Sequence, residues 1–299
     1  MSYDLITLGE TMLALSPPAG QSLQTAPMLV VDHAGAESNT SVGLARLGRR
    51  VAWVSRLGDD PAGDRILQAL QSEGVETSWV KRDPQRPTGL LFKDPAGGRV
   101  RYYRDGSAAS RLAPEDLTGV PMASALAVLV TGVTALLGPQ SASAALALLA
   151  EAQGLRAVDP NLRVGLWGSP RRVELVLPLI GSCDLVLGGE DELSELLGSA
   201  SPEALARGCA SRGPREVVVR SREQLGVLDR DGHWMERADP RSAAVDPVGA
   251  GDAFNAGYLA MRLQGAPIPV ALAAGVRCGA AVAQQLGDTA GFPRSLDPV

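Results

Sequence analysis

The sequence predicts an α/β protein: a mostly parallel sheet covered on both faces by helices, with a few short strands outside it. Three observations carry that prediction. Short apolar runs alternate with helical patterns through the first two-thirds of the chain, the last third is almost wholly helical in pattern, and two polar, turn-rich stretches break the alternation. The strand-like runs are Leu5 to Leu8, Val51 to Ser55, Leu126 to Val130, Arg156 to Val158, Asp184 to Leu187 and Glu216 to Val219. All are short and rich in Val and Leu, as strands buried on both faces must be. Between them the 3.6-residue spacing predicts helices over Asn39 to Leu47, Gly63 to Ser72, Gln140 to Gln153, Pro170 to Leu179, Asp191 to Leu197 and Pro202 to Ser211, and then over most of Gly251 to Gln285. The two exceptions are about 13–32, rich in Pro, Gly, Gln and Ser, and about 86–104, which alternates around Pro95-Ala96-Gly97-Gly98. Both read as short strands outside the main sheet. Ligands of open α/β sheets bind beyond the carboxyl ends of the strands, so these strands form either a lid over that crevice or a structural edge. One main domain over 1–299, with a small appendage, is expected.

Composition narrows the function. The chain has 299 residues, a net charge of −5 and a pI near 5.2, with four Trp, four Tyr and three Phe. It has neither a basic face nor the aromatic supply for stacking on bases, so no nucleic-acid partner is expected. Cys183, Cys209 and Cys278 form no CxxC pair, and His33 and His233 are the only histidines, which argues against a structural zinc site or a disulfide framework. The longest apolar run, Ala123 to Leu137, is interrupted by Ser124, Thr131, Gly132 and Thr134 and is too short to span a bilayer. The first ten residues hold Asp4 and Glu10 and no basic stretch, so the expectation is a soluble chain of the cytoplasm without a signal peptide.

The segment Asp246-Pro247-Val248-Gly249-Ala250-Gly251-Asp252-Ala253-Phe254 is the chemically richest. Gly249 and Gly251 let backbone approach a ligand, and the spacing of Ala253, Phe254, Gly257, Tyr258 and Met261 starts a helix there. First-turn amides and the helix dipole stabilise an anion, including charge growing on a transferred phosphoryl group. Asp252 beside such a site is either a general base for an acceptor hydroxyl or a first-turn acid favoured by the dipole. Gly35-Ala36-Glu37-Ser38-Asn39 opens another helix, where Asn39 either bonds substrate hydroxyls or caps. Arg101-Tyr102-Tyr103-Arg104 offers guanidiniums and phenols to a carboxylate or hydroxylated ligand, or is an ordinary amphipathic edge strand. Asp159-Pro160-Asn161-Leu162-Arg163 ends a buried strand, where Arg163 is a second cation or a surface residue. Glu190, Asp191, Glu192 and Glu195 are an acidic helix start, solvated or metal-organising.

Together these segments resemble the ribokinase-like (PfkB) family of sugar kinases. Asp246 to Phe254 matches its C-terminal motif; Gly35 to Asn39, running through Ala45-Arg46-Leu47-Gly48 to Arg56-Leu57-Gly58-Asp59-Asp60 and Gly63, matches its N-terminal one. The resemblance implies a ribokinase-like three-layer fold with a β lid, ATP as donor, Mg2+ across its phosphates, Asp252 as base and Gly249, Ala250 and Gly251 as anion hole. It also implies a homodimer or higher homo-oligomer through the lid, and leaves room for a monovalent cation behind the Asp246 loop. Within the family the chain is most similar to the subgroup acting on 2-keto-3-deoxygluconate. Ala14 stands where many ribose and fructose kinases carry an Asp, and both Arg101 to Arg104 with Gly106-Ser107-Ala108 and Asp159 to Arg163 with Trp167 match that subgroup. By that resemblance Gly35, Asn39, Tyr102, Tyr103, Arg104, Arg163 and Asp252 hold the keto-acid, Arg220, Arg222, Gly226, Gly249, Gly251, Val276 and Gly279 border ATP, and Glu192 supports the metal indirectly. A buried substrate carboxylate independently needs a cation partner. Three stretches depart from the pattern: Gly189 precedes Glu192 where an Asn is usual, Arg222 and Leu225 replace glycines of a Lys-x-Gly-x-x-Gly loop, and His33-Ala34-Gly35 replaces a Gly-Gly entry. The alternatives are a fructokinase or other sugar kinase on the same scaffold, and a sugar-acid-binding regulator that has lost ATP use.

Overall fold

The computed structural model describes residues 2–94, 99–162, 173–238 and 244–296. The chain opens with β1 (Leu5–Leu8), β2 (Met12–Ser16), β3 (Val30–Ala34), α1 (Ala36–Arg46), β4 (Val51–Gly58) and α2 (Pro61–Ser72). There follow β5 (Val80–Asp83), β6 (Leu90–Asp94) and β7 (Arg99–Tyr103), and, after short 3₁₀ turns, β8 (Ala127–Thr131), α3 (Gly132–Leu136), α4 (Pro139–Glu151) and β9 (Leu155–Asp159). The remainder comprises α5 (Val173–Gly181), β10 (Leu185–Gly189), α6 (Glu190–Leu197), α7 (Pro202–Ala210), β11 (Glu216–Arg220), β12 (Gln224–Leu228), β13 (Trp234–Ala238), α8 (Ala250–Arg262) and α9 (Ile268–Ala283). Contacts divide the chain into two compact units, residues 1–8 with 113–242 and residues 9–112 with 243–299.

The first unit is layered on the strand order β13-β12-β11-β10-β9-β8-β1. From β1 to β11 each neighbouring pair is parallel, while β12 and β13 close the far edge as antiparallel strands. Every residue of β1 and β8 is buried, the expected state of a parallel strand covered on both faces. The edge hairpin was not anticipated from the sequence. β13 runs Trp-Met-Glu-Arg-Ala with exposed charged residues, and β12 carries Gly226 in its middle, so neither has the uninterrupted apolar run of an interior strand.

The second unit holds the parallel pair β4–β5, the small sheet β3-β2-β6-β7, and α1, α2, α8 and α9. The two stretches that broke the sequence rhythm supply this small sheet. β2 and β3 are antiparallel, as are β6 and β7, and β2 joins β6 in parallel. Its inner face carries Met12, Ala14, Ala34 and Leu91, with Val100 and Tyr102 against them. Helix α2 is started by Asp60, whose Oδ1 accepts the Gly63 N–H at 2.8 Å, followed by Pro61 at the first helical position. Helices α8 and α9 pack so tightly that a Cβ on Gly257 would stand 2.6 Å from the Ala274 carbonyl oxygen.

Candidate active site

The site is built where the loop before α8 turns into the helix. Asp246 folds the loop locally: its Oδ1 accepts the Val248 N–H at 3.0 Å, and its own N–H donates to the Ala283 carbonyl at 3.2 Å. Gly249 caps the helix at φ +87°, in the left-handed region, and a Cβ there would meet the Asp288 carbonyl oxygen at 2.6 Å. Only glycine satisfies both conditions. The first-turn amides of α8 lie at the positive end of its dipole, with Gly279 of α9 alongside, close to the Ala250 carbonyl.

Asp252 lies in that first turn and is buried. Asn39 Nδ2, on α1, donates to Asp252 Oδ2 at 2.8 Å and to Asp288 Oδ2 at 3.2 Å. The two hydrogens of one side-chain amide thus join two carboxylates. Asn39 Oδ1, also buried, has no hydrogen-bond partner among the described residues, which leaves an acceptor suited to a hydroxyl. The sequence left Asn39 open between capping and ligand binding. Its amide reaches across to α8, and the cap position itself belongs to Gly35, with no side-chain bond to the helix start. A Cβ on Gly35 would collide with the Glu10 carbonyl oxygen, so this entry is a close backbone crossing.

Two buried ion pairs complete the unit's polar interior, and the sequence reading identified neither. Lys93 of β6 places its ammonium on Asp288 and 3.6 Å from Asp246. Burial pushes its pKa down, against the upward pull of Asp246, Asp32 and Asp252. Asp32 in turn is pushed up by burial but held below its ordinary value by the hydrogen bonds and charge of His33. The second pair joins Arg104 to Glu10, whose Oε1 also accepts the Ser107 hydroxyl at 2.6 Å. The only sequence hint for Lys93 was period two, which puts it on the same face of β6 as buried Leu91.

The expected acid-recognising strand divides between its two faces. Tyr102 packs inward with the Arg104 guanidinium 5.6 Å from its ring centroid, while Tyr103 is 56% exposed and meets Phe92 edge-on. Arg163 and Trp167 lie outside the described residues. In the first unit, the stretch expected as an ATP loop from Arg220 to Gly226 is a tight hairpin, with the Ser221 N–H and hydroxyl both bonded to the Gln224 carbonyl at 2.9 Å. Arg220 pairs with Asp159 at 3.4 Å and donates to the Leu187 carbonyl at 3.1 Å; Arg222 lies in the turn; Gly226 sits inside β12 under the Trp234 ring. Glu192 Oε2 accepts the Gly189 N–H at 2.8 Å, the carboxylate half of a capping box. Val276 lies on α9, partly buried. Asn161, two residues beyond β9, takes φ +38°, a conformation Asn tolerates better than most residues.

The sequence matches the pfkB family carbohydrate kinase pattern over residues 3–294. The chain belongs to the pfkB family of carbohydrate kinases. It is 32% identical to a 2-dehydro-3-deoxygalactonokinase of Haloferax volcanii, over 97% of this chain and 94% of that protein. It is also 32% identical to a 2-dehydro-3-deoxygluconokinase of Thermoproteus tenax, over 97% of this chain and 91% of that one. A crystal structure of a Vibrio cholerae fructokinase double mutant with fructose, ADP and potassium ion bound aligns with a TM-score of 0.86 at 26% identity, covering 97% and 96% of the two chains. As a pfkB carbohydrate kinase with the ribokinase-like α/β fold, the protein is a phosphotransferase. Among the described residues no helix is long and apolar enough to cross a membrane.

Proposed function

We propose that the protein transfers the γ-phosphoryl group of ATP to the primary hydroxyl of 2-keto-3-deoxygluconate. The observation that carries the chemistry is Asp252, buried in the first turn of α8, at the positive end of that helix's dipole, and bonded by Asn39 at 2.8 Å. Asp252 takes the proton of the attacking hydroxyl as the new O–P bond forms and the bond to the β–γ bridging oxygen breaks. The first-turn amides hold the charge that grows on the transferred group. Asn39 orients Asp252 through Nδ2 and offers Oδ1 to a substrate hydroxyl. Arg104, Tyr102, Tyr103 and Arg163 are the proposed recognition set for the acid, and Arg104 would divide its charge between Glu10 and the substrate carboxylate. Magnesium, when bound with the donor, would supply further charge neutralisation. Glu192 would support it only indirectly, since its Oε2 already accepts from Gly189. Arg220, Arg222, Gly226, Val276 and Gly279 are the proposed nucleotide border. A homodimer or higher homo-oligomer through the small sheet accords with this reading, supported by the exposed apolar residues Met28, Val30 and Tyr103 in and beside that sheet, and the proposed location is the cytoplasm.

The sugar-acid assignment rests on the two relatives, whose named substrates differ only in configuration at C4, and equal identity to both keeps the galacto epimer as a second reading. An ADP-release assay tests this with 2-keto-3-deoxygluconate, 2-keto-3-deoxygalactonate, fructose, ribose and gluconate. The highest kcat/KM is expected with one or both keto-deoxy acids. A preference for fructose or ribose would overturn the acid reading and make the protein a neutral-sugar kinase.

A further inference from the structure

The Lys93 ammonium is the feature that phosphoryl transfer by Asp252 does not itself call for. Lys93 is 5% exposed, and the carboxylates around it come from several elements: Asp288 beyond α9, Asp246 before α8, Asp252 within α8 and Asp32 in the middle of β3, the last paired with His33. Asp246, Asp252 and Asp288 are each 3% exposed. Three buried carboxylates repel one another, and together they repel an incoming phosphate and an acidic sugar. An ammonium among them offsets that repulsion.

The geometry is also directional. Lys93 holds Asp288; Asp288 and Asp252 share the two hydrogens of Asn39 Nδ2, at 3.2 and 2.8 Å. With both donors engaged, the Asn39 amide has one orientation, and Asp252 is placed by it. Resting on the kinase reading above, we propose that Lys93 is a positioning residue for phosphoryl transfer: acting through Asp288 and Asn39 it orients Asp252, and its charge keeps that carboxylate ionised. A purely structural role, tying the small sheet to the helices, would cost stability without changing how Asp252 titrates.

The test measures kcat and KM against pH, with magnesium-ATP and the best acceptor of the panel, for Lys93→Met, Lys93→Arg and the double variant Lys93→Met/Asp288→Asn. Lys93→Met is expected to lower kcat by about 10- to 100-fold, to change the acceptor KM by less than about threefold, and to move the acidic limb of kcat up by about one pH unit. Lys93→Arg should restore both kcat and the limb. The double variant, in which a lost positive charge is matched by a lost negative one, should return the limb toward wild type while kcat stays about tenfold low because Asn39 is less firmly held. A fall in kcat with an unmoved limb, or Lys93→Met at wild-type kcat, would overturn the proposal. If Lys93→Met does not fold, the double variant decides, and wild-type kcat in it overturns the proposal. Wild-type protein that turns over no sugar or sugar acid overturns the kinase reading and this inference with it, whereas an active wild type with indifferent variants removes the inference alone.

Discussion

The two compact units bury charge very differently. In the first, the described buried acids are Asp116, whose Oδ2 accepts the Ala113 N–H at 3.0 Å, and Asp159, whose Oδ1 accepts the Asn161 N–H at 3.0 Å with Arg220 beside it. Each accepts a backbone N–H from a residue two or three positions away, and most of the buried strand positions of this unit are Val, Leu and Ala. In the second unit Glu10, Lys93, Arg104, Asp246, Asp252 and Asp288 are all buried, several of them reaching across long sequence separations. Buried ion pairs are weak stabilisers once desolvation is counted, and well-packed apolar groups often serve stability as well or better. One unit therefore gains stability from apolar layers, while the other retains buried charge that the proposed phosphoryl transfer would use. Substitutions should separate accordingly, costing stability in the first and rate in the second.

The largest effect is expected at Asp252. Asp252→Asn removes the base but keeps the size and an acceptor for Asn39, so kcat should fall about 10²- to 10⁴-fold. Its melting temperature should stay level or rise, because one of three crowded carboxylates is gone. Unchanged turnover with intact acceptor binding would remove Asp252 from the mechanism. The reciprocal test is Leu129→Ala in β8, where Leu129 is fully buried and its strand is paired on both sides. Denaturant unfolding should show a loss of about 2–5 kcal/mol, while kcat measured well below the transition stays near wild type. A large loss of kcat there would break the division of labour.

Most of the fold was legible because buried parallel strands write themselves as apolar runs and their covering helices as 3.6-residue patterns. Leu5 to Leu8 is strand β1 over the same residues, and Glu216 to Val219 falls one residue short of β11. Short α3 was missed because Gly132 to Leu136 continues the apolar run of β8, and period alone cannot mark that change. At the candidate site, the glycines and Asp252 stood out in the sequence because the proposed backbone anion cradle calls for residues without Cβ in a fixed order. Lys93 and Asp288 were not. They are 195 residues apart, and period two, which sets Lys93 on the face of buried Leu91, does not say what its ammonium meets there. Arg104 was legible as a cation on the strand, but its partner Glu10, from the other end of the small sheet's sequence, was not.

The smallest expected effect tests whether every ion pair of the second unit belongs to the chemistry. Arg46 donates from Nε and Nη2 to Glu73 at 2.8 and 2.6 Å, and from Nη1 to the Thr289 carbonyl at 2.6 Å, so it clamps the residue after Asp288. The hydrogen bonds and charge of Arg46 hold the Glu73 carboxyl below its ordinary value near 4.5, against the upward push of burial. A carboxyl whose native pKa is depressed stabilises the fold fully above its unfolded value and loses that contribution as pH falls through the native one. Glu73→Gln should therefore cost about 1–2 kcal/mol at pH 7, with the gap from wild type narrowing steadily below about pH 4.5 as Glu73 itself becomes protonated. Because Arg46 keeps its bond to Thr289 in the variant, kcat should change by less than about threefold. A pH-independent stability loss would mean that shape rather than charge holds this pair, and a tenfold loss of kcat would extend the charged machinery from Asp288 to the far side of α1.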